Sequence, residues 1–69
     1  MNQQATQQRL VRMPEVLRIT GLSKSSVYDR MNRGLFPKSV SLGGRSIAFV
    51  ESEVNQWVNS QISQRDKVA

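Results

Sequence analysis

Between positions 23 and 33 the chain sets Ser23, Lys24, Ser25, Ser26, Tyr28, Arg30 and Arg33 close together, with one carboxylate, Asp29, among them. Hydroxyls, a phenol and long cations are the groups that donate to phosphate oxygens, and a serine hydroxyl can also donate to or accept from a base edge. A further cation, Arg45, follows Gly43-Gly44. These residues do not make a catalytic set. The chain contains no histidine and no cysteine, which removes thiolate nucleophiles and the usual zinc ligand sets. Its five acids show no paired spacing, Ser23, Ser25 and Ser26 have no histidine or lysine arranged as a base, and Gly43-Gly44 is not a phosphate loop. Neither an enzyme, nor a metal site, nor a cofactor is expected.

Charge points the same way. Ten Lys and Arg against five Asp and Glu give +5, with an isoelectric point near 10.9, in the range of nucleic-acid-binding domains. The excess is local. Residues 9–50 hold eight cations against Glu15 and Asp29, a balance of +6, while positions 51–69 hold Arg65 and Lys67 against Glu51, Glu53 and Asp66, a balance of −1. Net charge alone would be satisfied by solubility, so the motifs must carry the inference. No apolar run is long enough to cross a bilayer and no signal-peptide core is present. The expectation is cytoplasmic, nucleoid-associated residence with no membrane partner.

The elements that would position these residues follow from capping and periodicity. Residues 1–8 are polar and aperiodic and read as a disordered leader. Arg9 to Arg12 suit a short edge strand or an extended lead-in. Pro14 opens a helix to Thr20, with Glu15 at its positive end and Val16, Leu17 and Ile19 inward, and Gly21 stops it. Ser23 caps a second helix, Lys24 to Arg33, whose Val27 and Met31 share a face. Two alternating runs, Val40 and Leu42 then Ile47 and Phe49, flank Gly43-Gly44-Arg45 as a hairpin. A third helix from Glu51 carries an apolar stripe of Val54, Trp57, Val58 and Ile62 and frays beyond Gln64. One domain, residues 9–64, lies between the leader and a frayed tail at 65–69.

Two short helices joined by Gly21-Leu22-Ser23 make a helix-turn-helix, because a short glycine-containing turn sets them at a steep angle. Projection at about 100° per residue turns Val27, Met31 and the stem of Lys24 inward. Ser25, Ser26, Asp29, Asn32 and Arg33 then face outward, with Tyr28 and Arg30 on the flanks. Recognition helices use their N-terminal residues on base edges, so Ser25 and Ser26 are candidates for bases or phosphates. Lys24, Tyr28, Arg30 and Arg33 are candidates for the two backbones bordering the groove. Arg30 has guanine as an alternative. For each residue singly, a solvated helix face is an equal reading. Asp29 either orients Arg33 or Lys24 or forms an ordinary intrahelical ion pair. Arg45, at a hairpin tip, can touch backbone or a minor groove. Trp57 has base stacking as an alternative, but its place on the stripe with Val54 and Val58 favours core anchoring, and Met13 and Phe36 read as core or edge packing.

The string Arg9-Leu10, Pro14-Glu15-Val16, Thr20-Gly21-Leu22-Ser23, Ser25-Ser26-Val27-Tyr28, Gly34, Phe36-Pro37, Leu42-Gly43-Gly44-Arg45, Glu51-Ser52-Glu53-Val54 and Trp57 resembles the AlpA-type prophage regulatory proteins. These are a branch of the MerR-like winged helix-turn-helix group. The resemblance implies a mainly α fold with three short helices, two or three short strands and a β-hairpin wing, working as a transcriptional regulator of a prophage or mobile element. It implies double-stranded DNA as partner, contacted through Ser23, Ser25, Ser26, Tyr28, Arg30 and Arg45. Integrase, RNA polymerase and cooperative self-association on DNA are the further partnerships it suggests. Asp29 stands where many members carry a basic residue. Two other functions remain open at this point: an excisionase that bends attachment-site DNA, and a protein-interaction module using the third helix.

Overall fold

The computed structural model describes residues 8–68, so most of the expected leader lies outside them. Strand β1, Leu10–Val11, runs into helix α1, Met13–Thr20, which begins one residue before Pro14 because Arg12 serves as N-cap and its carbonyl accepts from the Glu15 and Val16 amides. The helix ends at Gly21, whose φ of 75° is open to glycine at little cost and lets its amide reach the Leu17 carbonyl at 2.8 Å. Helix α2 covers Lys24–Asn32, with Arg33 as C-cap rather than last helical residue. Strands β2, Val40–Gly43, and β3, Ser46–Val50, form the hairpin, and helix α3 follows at once as Glu51–Val68.

The sheet order is β1-β3-β2, antiparallel throughout, with Leu10 opposite Val50 and Val40 opposite Ala48. The expected edge strand is therefore paired with the hairpin's second strand. The Glu51 amide donates to the Arg9 carbonyl at 2.7 Å, and their side chains form an ion pair at 3.5 Å, so the start of α3 is fastened to the lead-in strand. With three helices and a three-stranded sheet among the described residues, the architecture is the expected mainly helical, winged helix-turn-helix type.

One thin core holds it. Val11, Val16, Val27, Phe36, Phe49 and Val54 form a single buried cluster, to which every helix and two of the strands contribute or lie adjacent. Phe49 is fully buried and meets Phe36 edge-on at 5.9 Å between ring centres. Met13, Leu17, Ile19, Met31 and Trp57 pack around that cluster.

Two expectations change. The hairpin alternation does not hold: Ala48 and Phe49 are both buried on β3, and Leu42 is 47% exposed beside a bulge between Ser41 and Gly43. The bulge puts one extra residue on β2, so the side chains beyond it lose their register with the core face. The third helix continues through Val68 instead of fraying after Gln64. No glycine or proline stands between Glu51 and Val68 to stop it. The apolar stripe is covered only at its beginning, since Val54 is buried, Trp57 and Val58 are half-buried, and Ile62 is 47% exposed.

Candidate nucleic-acid interface

The turn between α1 and α2 is built from side-chain caps. Thr20 donates its hydroxyl to the Val16 carbonyl at 2.8 Å and accepts from the Leu22 amide at 3.2 Å, so the residue after Gly21 is tied back onto α1. Ser23 then caps α2, its hydroxyl oxygen accepting from the Ser26 amide at 3.2 Å. A cap of this kind contributes about 1 kcal/mol and fixes where the helix starts. Because the oxygen is so used, the Ser23 proton remains to be donated; Ser25 Oγ lies 3.5 Å away and is one acceptor.

Helix α2 buries a single residue, Val27, and half-buries Met31. That anchor leaves Ser25, Asp29 and Asn32 exposed on the opposite side, with Tyr28 40% exposed on the flank. Ser25 is outermost. Ser26 is half-buried, one step of about 100° from Val27 and so on the flank rather than opposite the core. Lys24 is exposed. Arg30 is half-buried and lines a cleft with Leu35, Trp57 and Ser60, turning it towards α3 and away from Ser25. Asp29 Oδ2 stands 3.3 Å from Arg33 Nε, so of its two expected partners the carboxylate takes Arg33. Both groups are largely exposed, and such a pair stabilises little while holding the guanidinium beside the helix end.

The loop after α2 is braced from the far side. The Leu35 amide donates to the Arg30 carbonyl at 2.8 Å, closing the helix end, and the Trp57 indole N–H donates to the Leu35 carbonyl at 2.8 Å. Phe36 is caught edge-on between Phe49 and Trp57, whose ring centre lies 5.0 Å away. Trp57 is thus a half-buried strut between α3 and the end of α2. Its heteroatom partner, a backbone carbonyl more than twenty positions away in sequence, has no signature in residue types.

At the hairpin tip Gly44 and Arg45 connect β2 to β3, with Gly43 opposite Ser46. Gly44 has φ 55°, the positive value such a turn favours at its first position. Leu42 to Ser46 are all exposed, and the Gly43 amide finds the Ser41 hydroxyl at 3.3 Å. Arg45 is therefore a cation held out into solvent. Lys38, exposed in the segment between α2 and β2, adds another that spacing does not single out and only charge could suggest. Among the described residues no cluster of acids suits a metal ion, and no helix is long and apolar enough to cross a membrane.

The profile of the family described as Prophage CP4-57 regulatory protein (AlpA) matches residues 9–62, from β1 into α3. An uncharacterized protein of Enterobacteria phage P4 is 44% identical over 62 residues, covering 90% of this chain and 70% of that protein. The DNA-binding transcriptional activator AlpA of Escherichia coli strain K12 is 33% identical over 59 residues, covering 77% of this chain and 84% of its own length. Both alignments take in most of the chain. With its helix pair, its hairpin and the first two-thirds of its third helix inside the matched span, the chain belongs to the AlpA family of prophage regulatory proteins.

Proposed function

We propose that this protein is a sequence-specific, double-stranded-DNA-binding transcriptional regulator of a phage or prophage element, with α2 entering the major groove. The observation that carries the reading is the division of α2: one buried residue, Val27, fixes it, and a capped N-terminal end leaves Lys24, Ser25 and Tyr28 exposed. The 33% identical relative named a DNA-binding transcriptional activator supports the same reading.

In this reading Ser25 and Ser26 meet base edges near the helix start, where recognition helices read sequence. Ser23 donates to a phosphate from the cap, and Lys24, Tyr28 and Arg33 hold the backbones on either side. Arg30, turned towards α3, reaches a phosphate only with the outer end of its guanidinium and contributes least. Arg45 brings the wing onto backbone or minor groove. Residues 9–50, with their +6 balance, supply the attraction that brings the duplex in.

Selection of bound sites from a random duplex library tests the proposal. It predicts enrichment of one motif a few base pairs long per protomer, and loss of that enrichment, not of all binding, on Ser25→Ala. Recovery of unenriched DNA would overturn sequence-specific regulation. Strong bending on several phased sites in attachment-site DNA would replace the promoter reading with the excisionase one.

A further inference from the structure

Helix α2 carries a single carboxylate, Asp29, and holding phosphate gives it no part. Ser25 and Asp29 each stand about 160° around the helix from Val27, and so within about 40° of each other, one turn and about 6 Å apart. Both are exposed. With Ser25 turned to the floor of a groove, Asp29 is turned to it one turn further on. The other acid between positions 9 and 50, Glu15, lies on α1 against Arg18. The Asp29 side chain is 55% exposed while its Oδ2 stands 3.3 Å from Arg33 Nε. A carboxylate has two oxygens and about four accepting positions, so this ion pair uses only part of its capacity.

We infer that Asp29 reads a cytosine, accepting from its N4 amine in the major groove about two base pairs from the base that Ser25 faces. The inference rests on the proposal that α2 enters that groove. A carboxylate can only accept, and the major-groove edges of guanine and thymine offer it acceptors or a methyl group. Adenine has an amine, but one flanked by its own N7 and by O4 of the paired thymine, both acceptors that repel the second carboxylate oxygen. The cytosine amine has an acceptor, guanine O6, on one side only. Cytosine is therefore the edge that a carboxylate meets with least repulsion. The spacing follows from a rise of about 6 Å between Ser25 and Asp29 against about 3.4 Å per base pair.

Arg33 makes this contact compatible with the phosphates that border the groove. A bare carboxylate would oppose the attraction exerted by residues 9–50, whereas the pair with Arg33 brings no net charge. The pair engages Nε, which leaves the four N–H donors of the two outer guanidinium nitrogens for a backbone phosphate. One residue thus reads while its partner holds. Opposite any other base the carboxylate would face acceptors in a site stripped of water, and an unsatisfied group there costs more than a missing contact.

Selection from a random duplex library, followed by titration of the selected site and of each of its single-base-pair changes, tests this with the full wild-type chain, Asp29→Asn and Arg33→Ala. Circular dichroism checks that each variant is folded. For the wild type, replacing the cytosine should weaken binding about tenfold. Asp29→Asn should reduce that ratio to about twofold or less and admit adenine, because a carboxamide meets N6 and N7 together. The same variant should bind unselected duplex more tightly, a negative charge having gone. Arg33→Ala breaks the same ion pair, and it should weaken binding to every sequence while keeping the cytosine preference. That contrast separates base reading from a structural tie within α2. A selected motif that Asp29→Asn leaves unchanged overturns the inference, as does loss of the cytosine preference in Arg33→Ala, and either leaves the DNA reading standing. Selection that enriches no motif overturns sequence-specific binding and the inference together.

Discussion

The two surfaces proposed to meet DNA are held in opposite ways. The face of α2 is fixed from behind by Val27, at its start by the Ser23 cap, and at its end by the Leu35 carbonyl that Trp57 grips from α3. The hairpin tip has Gly43 bonded to Ser41 and otherwise carries exposed side chains from Leu42 to Ser46. Reading bases requires groups already in place, because an unfixed side chain loses in ordering what it gains in contact. Attraction to phosphate does not, since a cation is useful over a range of positions. On the proposed reading, this difference gives sequence preference to α2 and general affinity to the wing.

The comparison breaks most severely where the brace is removed. Trp57→Ala should cost about 3 kcal/mol, towards the low end for a tryptophan because the ring is half-exposed, and urea unfolding would show it. The domain is too small to absorb much more. Gly21→Ala comes next, at about 1–2 kcal/mol, since a Cβ meets no neighbour there and the cost is the left-handed φ alone. Both variants should lose preference among DNA sites through the fold, with no effect confined to the tip.

Within a folded domain the two surfaces then separate. Tyr28→Ala and Arg45→Ala should weaken binding on all sequences by about 1 kcal/mol, and Arg45→Ala should reduce the salt slope by about 1, as a titration at several salt concentrations would show. Ser25→Ala is the smallest in affinity: its effect should fall on the ratio between the selected site and random duplex. If Arg45→Ala altered that ratio and Ser25→Ala did not, the assignment of preference to α2 would be reversed.

Much of the helix pair is legible in the sequence because it rests on local chemistry. Pro14, Gly21 and Ser23 each act on their own turn of backbone, and the elements fall within a residue or so of where those residues put them. What escapes is set by distant packing. Nothing in Arg30 distinguishes an outer cation from one turned towards α3, and the Ser26 flank depends on where the core lies around Val27. The exposure of Ile62 follows from a domain that ends before the helix does, a length the apolar stripe does not encode. The bulge beside Leu42 likewise shifts a register that alternation alone sets wrongly.

The central claim is that the +6 stretch bearing α2 and the wing meets phosphate. Its most direct test is the affinity for a random duplex measured at 50 and 200 mM salt. About six phosphate contacts predict a loss of roughly a thousandfold across that range. An affinity that stays flat would contradict the account.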